Sequence, residues 1–143
     1  MISLIIKMKK IAIQGVKHLL VGGFATIVDL KVFEILLAAT FFSTIWAKAI
    51  SFLVSALIKY AGNKYWAFES GASQAPAKEA LVFFIITIVG LAIDLGAFYC
   101  AVNIFGPQFG LSASLWTKLS VIIAAATAAT WNFLGYKFLV FKK

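Results

Sequence analysis

The chain has 143 residues, 63% of them hydrophobic and only 13% charged, with a mean hydropathy of +1.01. That composition leaves too little polar surface to cover a water-soluble globule, so a membrane protein is expected. The net charge is +8 and every basic residue is a lysine, which excludes a rigid bidentate guanidinium grip on phosphate.

The first ten residues, "MISLIIKMKK", place their lysines after the apolar residues, with no small-residue cleavage site soon after. A removable signal peptide is therefore not expected. Four apolar segments follow, at about 18–42, 44–61, 80–105 and 111–134. Each reaches or approaches the roughly 20 residues a helix needs to cross the hydrocarbon core. Their continuous apolarity, without strict alternation, argues against barrel strands. The predicted fold class is an all-α membrane protein of four transmembrane helices.

The lysines set the expected topology. Lys7, Lys9, Lys10 and Lys17 precede the first segment, Lys59, Lys64 and Lys78 surround the middle connection, and Lys137, Lys142 and Lys143 follow the fourth. The connections at Phe42-Ser43 and at 103–110 carry none. By the positive-inside rule both termini and the middle loop are cytoplasmic. "FGPQFG" (105–110) is an outer turn, with Pro107 between two glycines. Anionic lipid headgroups, rather than nucleic acid, are the expected counter-charge.

The two halves repeat. "FATIVDLKVFEILLA" (24–38) is similar to "VGLAIDLGAFYCAV" (89–102), with Asp29 over Asp94 at an offset of 65. "IWAKAISFL" (45–53) is similar to "LWTKLSVII" (115–123), pairing Trp46-x-Lys48 with Trp116-x-Lys118 at an offset of 70. "GNKYWAF" (62–68) lies over "GYKFLVF" (135–141) at an offset of 73. The chain is thus expected to be one domain of two helical hairpins, at about 14–68 and 80–141, joined by a small polar linker at about 69–79. Two hairpins of equal orientation make a parallel repeat.

Polar residues inside the apolar segments are the candidate site. A carboxylate at mid-depth costs several kcal/mol unless paired, neutralised or wet. Asp29 and Asp94 recur at one place in each half, so they read either as helix-packing hydrogen bonds or as a polar lining for a substrate. Lys31 and Glu34 are three apart and can pair on one face; half two has Gly96 and Tyr99 there. Lys48 and Lys118 lie near the outer ends, as snorkelling lysines or outer phosphate contacts. Lys59, Asn63, Lys64, Asn132 and Lys137 lie at the cytoplasmic ends, as an interfacial lysine-aromatic belt or as a headgroup phosphate site. His18 is expected to be interfacial. Cys100, alone in an apolar run, reads as a small buried hydrophobe. No nucleophile-base pair, phosphate-cradling glycine loop or metal-ligand spacing is present in the sequence, so neither an enzyme nor a cofactor is expected.

Four spans in a chain of this length, "LLVGGFATIVDL", the repeated Asp-Leu and "NKYWAF" closing the second segment together resemble the GtrA-like family. The resemblance covers about residues 14–142. In that family's closing motif an asparagine is common where this chain has Lys59, and a later asparagine where it has Tyr136; each half keeps one asparagine, Asn63 and Asn132. The resemblance implies a multi-pass protein of a bacterial or archaeal inner membrane. It implies the translocation of a polyprenyl-phosphate-linked monosaccharide for polysaccharide, teichoic acid or O-antigen glycosylation. The substrate path would use Asp29, Lys31, Glu34 and Asp94, with the lysines and asparagines of the two rims holding the phosphate. Four short helices enclose little volume, so a homo-oligomer is expected. The alternatives are a non-transporting anchor for a membrane glycosyltransferase and a small proton-coupled exporter of hydrophobic cations.

Overall fold

The computed structural model describes residues 1–39 and 44–142, and among them every regular element is helical. The chain divides into two units, Met1–Pro76 and Ala77–Lys142.

The first unit opens with α1, Ile2–Ala38, one helix of 37 residues. The first span was expected to begin near residue 18, but the helix begins sixteen residues earlier. The reason is physical: lysines end a membrane span without ending a helix, because lysine is a good helix former. The helix α2 occupies Thr44–Ala61, as expected, and continues directly into a π-helical turn, Gly62–Ala67. The expected outer turn at Phe42-Ser43 lies outside the described residues. The core of this unit is small and tight, built from Val21, Ala25, Ala47, Ala56, Ala67 and Phe68. Small side chains let helix backbones approach closely where lipid gives no hydrophobic drive. A Cβ at Gly62 would stand 2.8 Å from Val21 Cγ1, so only glycine fits that crossing.

The second unit contains α3, whose helix spans Pro76–Tyr99, and α4, Ala113–Gly135. Proline suits the first helical position because its missing N–H has no partner there anyway. A π-helical turn, Cys100–Phe105, prolongs α3. The connection then turns through Gly106, Phe109 and Gly110, all at positive φ, and Ser112 caps α4 by accepting from the Leu115 N–H at 3.3 Å. A further π-helical turn, Tyr136–Val140, prolongs α4. With these turns included, Pro76–Phe105 and Ala113–Val140 are long and apolar enough to cross a bilayer.

Inside each unit the same contacts recur. Gly62 meets Val21 in the first, and Gly135 meets Ile86 in the second, where a Cβ would stand 2.6 Å from Ile86 Cγ2. The two members of each pair are related by offsets of 73 and 65. Phe68 N–H donates to Asn63 O at 2.9 Å, and Phe141 N–H donates to Tyr136 O at 2.7 Å, which closes the last wide turn in each case. Counting back at 73 pairs buried Ala47 and Ser51 with buried Ser120 and Ala124. It does not pair Trp46 with Trp116. Trp46 is 67% exposed, whereas Trp116 is 8% exposed and donates its indole N–H to Ala101 O at 2.8 Å. The Trp-x-Lys match is therefore a similarity of letters and not of place.

Candidate functional site

In the first unit the π-helical turn at the end of α2 gathers polar side chains against α1. A wide turn adds a residue without breaking the helix, so consecutive Asn63 and Lys64 are both buried. Asn63 is fully buried. Its amide Nδ2 donates to Lys59 O at 2.7 Å, and its Oδ1 lies 2.8 Å from His18 Nδ1. With the amide nitrogen committed to a carbonyl, the oxygen can only accept, so the imidazole donates from Nδ1. His18 is 3% exposed and its ring lies 6.3 Å from that of Phe68. His18 stands one turn before Val21 on the packed face of α1.

Two lysines flank this pair. Lys64 is 4% exposed; its Nζ lies 3.3 Å from Tyr60 Oη and over the rings of Tyr60 and Tyr65, at 5.5 and 5.6 Å. The rings' negative faces compensate an ammonium withdrawn from water. Lys17 donates to Glu69 Oε1 at 2.8 Å and to Trp66 O at 3.2 Å, and lies 5.5 Å from the centre of the Trp66 ring. Glu69 sits at φ +51°, a left-handed conformation that costs a non-glycine residue energy. Ser70 N–H returns to Lys64 O at 2.8 Å. One end of this unit therefore collects two lysines, a carboxylate, an imidazole and an amide.

The corresponding place in the second unit is built differently. Offsets of 65 and 73 carry His18, Gly22, Asn63 and Phe68 onto Phe83, Thr87, Tyr136 and Phe141. Tyr136 is fully buried and stacks on Phe83 at 4.3 Å. The Thr87 hydroxyl donates to Phe83 O at 2.8 Å, so the Tyr136 hydroxyl donates to Thr87 Oγ1 at 2.6 Å. The Phe83 and Phe141 rings lie 6.2 Å apart at 46°, against 6.3 Å and 45° for His18 and Phe68. The same frame thus holds an aromatic stack where the first unit holds an imidazole-amide pair. Asn132 is buried over Gly90, where a Cβ would collide with its amide. Lys137 is half-buried over the rings of Phe133 and Phe138, at 5.6 and 5.9 Å.

The remaining expected residues are spread. Asp29 and Asp94 are half-buried in α1 and α3. Lys31 donates to Glu34 at 2.9 Å, as its spacing predicts, and both are exposed. At 100° per residue this pair lies on the side of α1 away from Asp29. Asp29, Lys31 and Glu34 therefore do not line one groove of the first unit, which corrects the expected path. Lys118 is exposed on α4 and Lys59 is half-buried on α2. The side chain of Lys48 lies outside the described residues. Sequence reading missed the Lys17–Glu69 pair and the Thr87–Tyr136 bond; extending the offset of 65 one turn before Val21 and Ile86 would have shown that His18 takes the place of an apolar Phe83.

The family profile of the GtrA/DPMS transmembrane domain matches residues 17–141. The chain belongs to this family. The family is one of membrane translocation and accessory domains, and membership gives the chain a membrane location and a role related to lipid-linked sugars. A GtrA/DPMS chain of this kind is also similar to YwcD of Bacillus subtilis (strain 168), an uncharacterized membrane protein. The two are 29% identical over 128 residues, which is 88% of this chain and 94% of YwcD. No solved structure matches the chain.

Proposed function

We propose that the protein moves a polyprenyl-phosphate-linked monosaccharide from the cytoplasmic to the outer leaflet, for cell-surface polysaccharide, teichoic acid or O-antigen glycosylation. The observation that carries the proposal is the buried His18–Asn63 pair beside Lys17 and Lys64. Burying that much polarity in a chain this apolar is costly, and a phosphate is a ligand that would use it: lysines supply charge, while the second N–H of the Asn63 amide, held in place by His18, supplies a directed donor.

In this reading both hairpins cross an inner membrane with their termini in the cytoplasm, as a parallel repeat. The phosphate enters at the first unit, against Lys17, Lys59 and Lys64. Asp29 in the first unit accepts hydrogen bonds from sugar hydroxyls at mid-depth while the polyprenyl tail stays in lipid, and Asp94 has the same role within the second unit. Lys48 and Lys118 receive the phosphate on the outer side. Asn132 and Lys137 mark the matching rim of the second unit, where the aromatic stack leaves fewer donors. A homo-oligomer supplies the remaining walls of the path.

The test is leaflet exchange of a short-chain polyprenyl-phosphate sugar in reconstituted vesicles. The wild type should exchange the lipid. Asn63→Leu and the double variant Asp29→Asn, Asp94→Asn should lose at least about tenfold in rate, the equivalent of one charge-assisted hydrogen bond. No exchange by the wild type above protein-free vesicles would sink the translocator reading and leave a glycosyltransferase anchor.

A further inference from the structure

Residues 2–17 of α1 have no role in the site just described, apart from Lys17. They also precede or only touch the region that matches the family, which starts at residue 17. At 1.5 Å per residue, α1 is about 55 Å long, well beyond the roughly 30 Å of a hydrocarbon core. If the span begins near residue 18, some sixteen helical residues lie outside it.

Those residues are not suited to water. Ser3, Lys7, Lys10, Gln14 and Lys17, spaced by four and three, form one narrow polar stripe. Apart from Lys9, the rest of the circumference is apolar or glycine, and Leu4, Ile5, Ile6, Met8 and Ile13 are all exposed. The stripe runs on into His18, Val21 and Ala25, the buried face of α1. The apolar arc runs on into Leu19, Leu20, Phe24 and Ile27, which are exposed and face lipid if the following segment spans. The surface that meets lipid in the span is therefore continuous with the arc of the arm. No acidic residue occurs before Asp29, so the arm is purely cationic.

We propose that residues 2–16 form an interfacial arm that lies on the cytoplasmic leaflet and binds anionic lipid. Its apolar arc sinks to the acyl boundary, Lys7 and Lys10 on the stripe meet lipid phosphates at the headgroup level, and Lys9 snorkels up to them from within the arc. In the docked arm the axis turns at Gly15, the glycine nearest the start of the span, where a Cβ would meet nothing within 4 Å. A lysine stripe on an otherwise largely apolar helix matches an anionic bilayer surface in both charge and greasiness. The arm's stripe lies on the same face of α1 as His18, so it holds anionic lipid beside that end of the first unit.

The test uses the full chain in a Cys100→Ser background, with a nitroxide attached at Ser3→Cys on the stripe or Ile5→Cys on the arc. The protein is reconstituted in phosphatidylcholine alone or with phosphatidylglycerol, and label accessibility to oxygen and to a water-soluble nickel chelate is compared. With phosphatidylglycerol, the Ile5 label should favour oxygen and the Ser3 label nickel. Lys7→Gln, Lys9→Gln and Lys10→Gln together should lower the docked-to-undocked ratio on the order of a hundredfold, at the worth of three lysines near an anionic surface. Equal nickel access at both positions in both lipids would overturn the arm. An Ile5 label shielded equally in neutral vesicles would overturn its selection of anionic lipid, as would one shielded from oxygen and nickel alike, which marks a protein contact. None of these readouts depends on sugar exchange, so the two proposals fail separately.

Discussion

His18→Phe tests the first unit at its centre. The second unit has phenylalanine at the corresponding place, with a nearly identical ring geometry to the phenylalanine that closes the turn, so the ring volume should fit. What is lost is the Nδ1–H that serves Asn63 Oδ1 at 2.8 Å. Asn63 is fully buried and no water reaches it as a replacement. Stranding a buried acceptor costs about 1–3 kcal/mol in water-soluble proteins, but interhelical bonds in membranes average below 1 kcal/mol and reach about 1.7. The expected loss is therefore about 1 kcal/mol, read by reversible denaturant unfolding in micelles. Adding Gly22→Thr and Asn63→Tyr rebuilds the Phe83–Thr87–Tyr136 arrangement and should restore most of that stability. Under the proposed function, lipid-linked sugar exchange should fail in the single and the triple variant alike. The reasoning is refuted by a His18→Phe protein as stable as wild type, or by a triple variant less stable than the single one. The first result would mean that the bond does not form, and the second that the likeness of the two units is accidental.

Gly90→Ala should destabilise by about 1–3 kcal/mol through overpacking, more than the gain of up to about 1 kcal/mol from alanine's helix propensity. The new Cβ would stand 2.8 Å from Asn132 Cγ, so Asn132→Ala should recover the loss in a double-mutant cycle, and additive effects would argue against the contact. Trp116→Phe should cost about 1 kcal/mol because it strands Ala101 O, while Trp46→Phe should stay within about 0.5 kcal/mol; thermal unfolding in micelles compares them directly. Glu69→Gln should cost no more than about 1 kcal/mol, because Lys17 and Glu69 are 24% and 63% exposed and such pairs are screened. A larger, salt-independent loss in unfolding titrations would mean that the pair is not solvated.

What was legible in the sequence depended on whether local chemistry marked it. The bounds of α2 follow from Thr44 at its start and Gly62 after its end, and the Gly106–Gly110 turn from proline and glycine. The Lys31–Glu34 pair follows from spacing alone. The start of α1 was not legible, because hydropathy reports where a span ends and lysine does not stop a helix. The π-helical turns leave no compositional trace: one more residue per turn changes which side chains point inward without changing their type. That is why Asn63 and Lys64 read as neighbours on a belt, although both are buried.

The widened turns also explain how the two halves could diverge at one place without losing the fold. Gly62 against Val21 and Gly135 against Ile86 fix the crossing in each unit. The closing Phe68 and Phe141 hold nearly equal distances to the residue at 18 or 83. Those contacts are apolar and need no particular partner at 63 or 136. The first unit uses that freedom for an imidazole, an amide and a buried lysine, which a membrane protein carries at a cost. The second uses it for a Phe-Tyr stack with a satisfied hydroxyl, which costs little. Under the proposed function the phosphate site is expected where polarity has been kept against its cost, and that is at His18, Asn63 and Lys64.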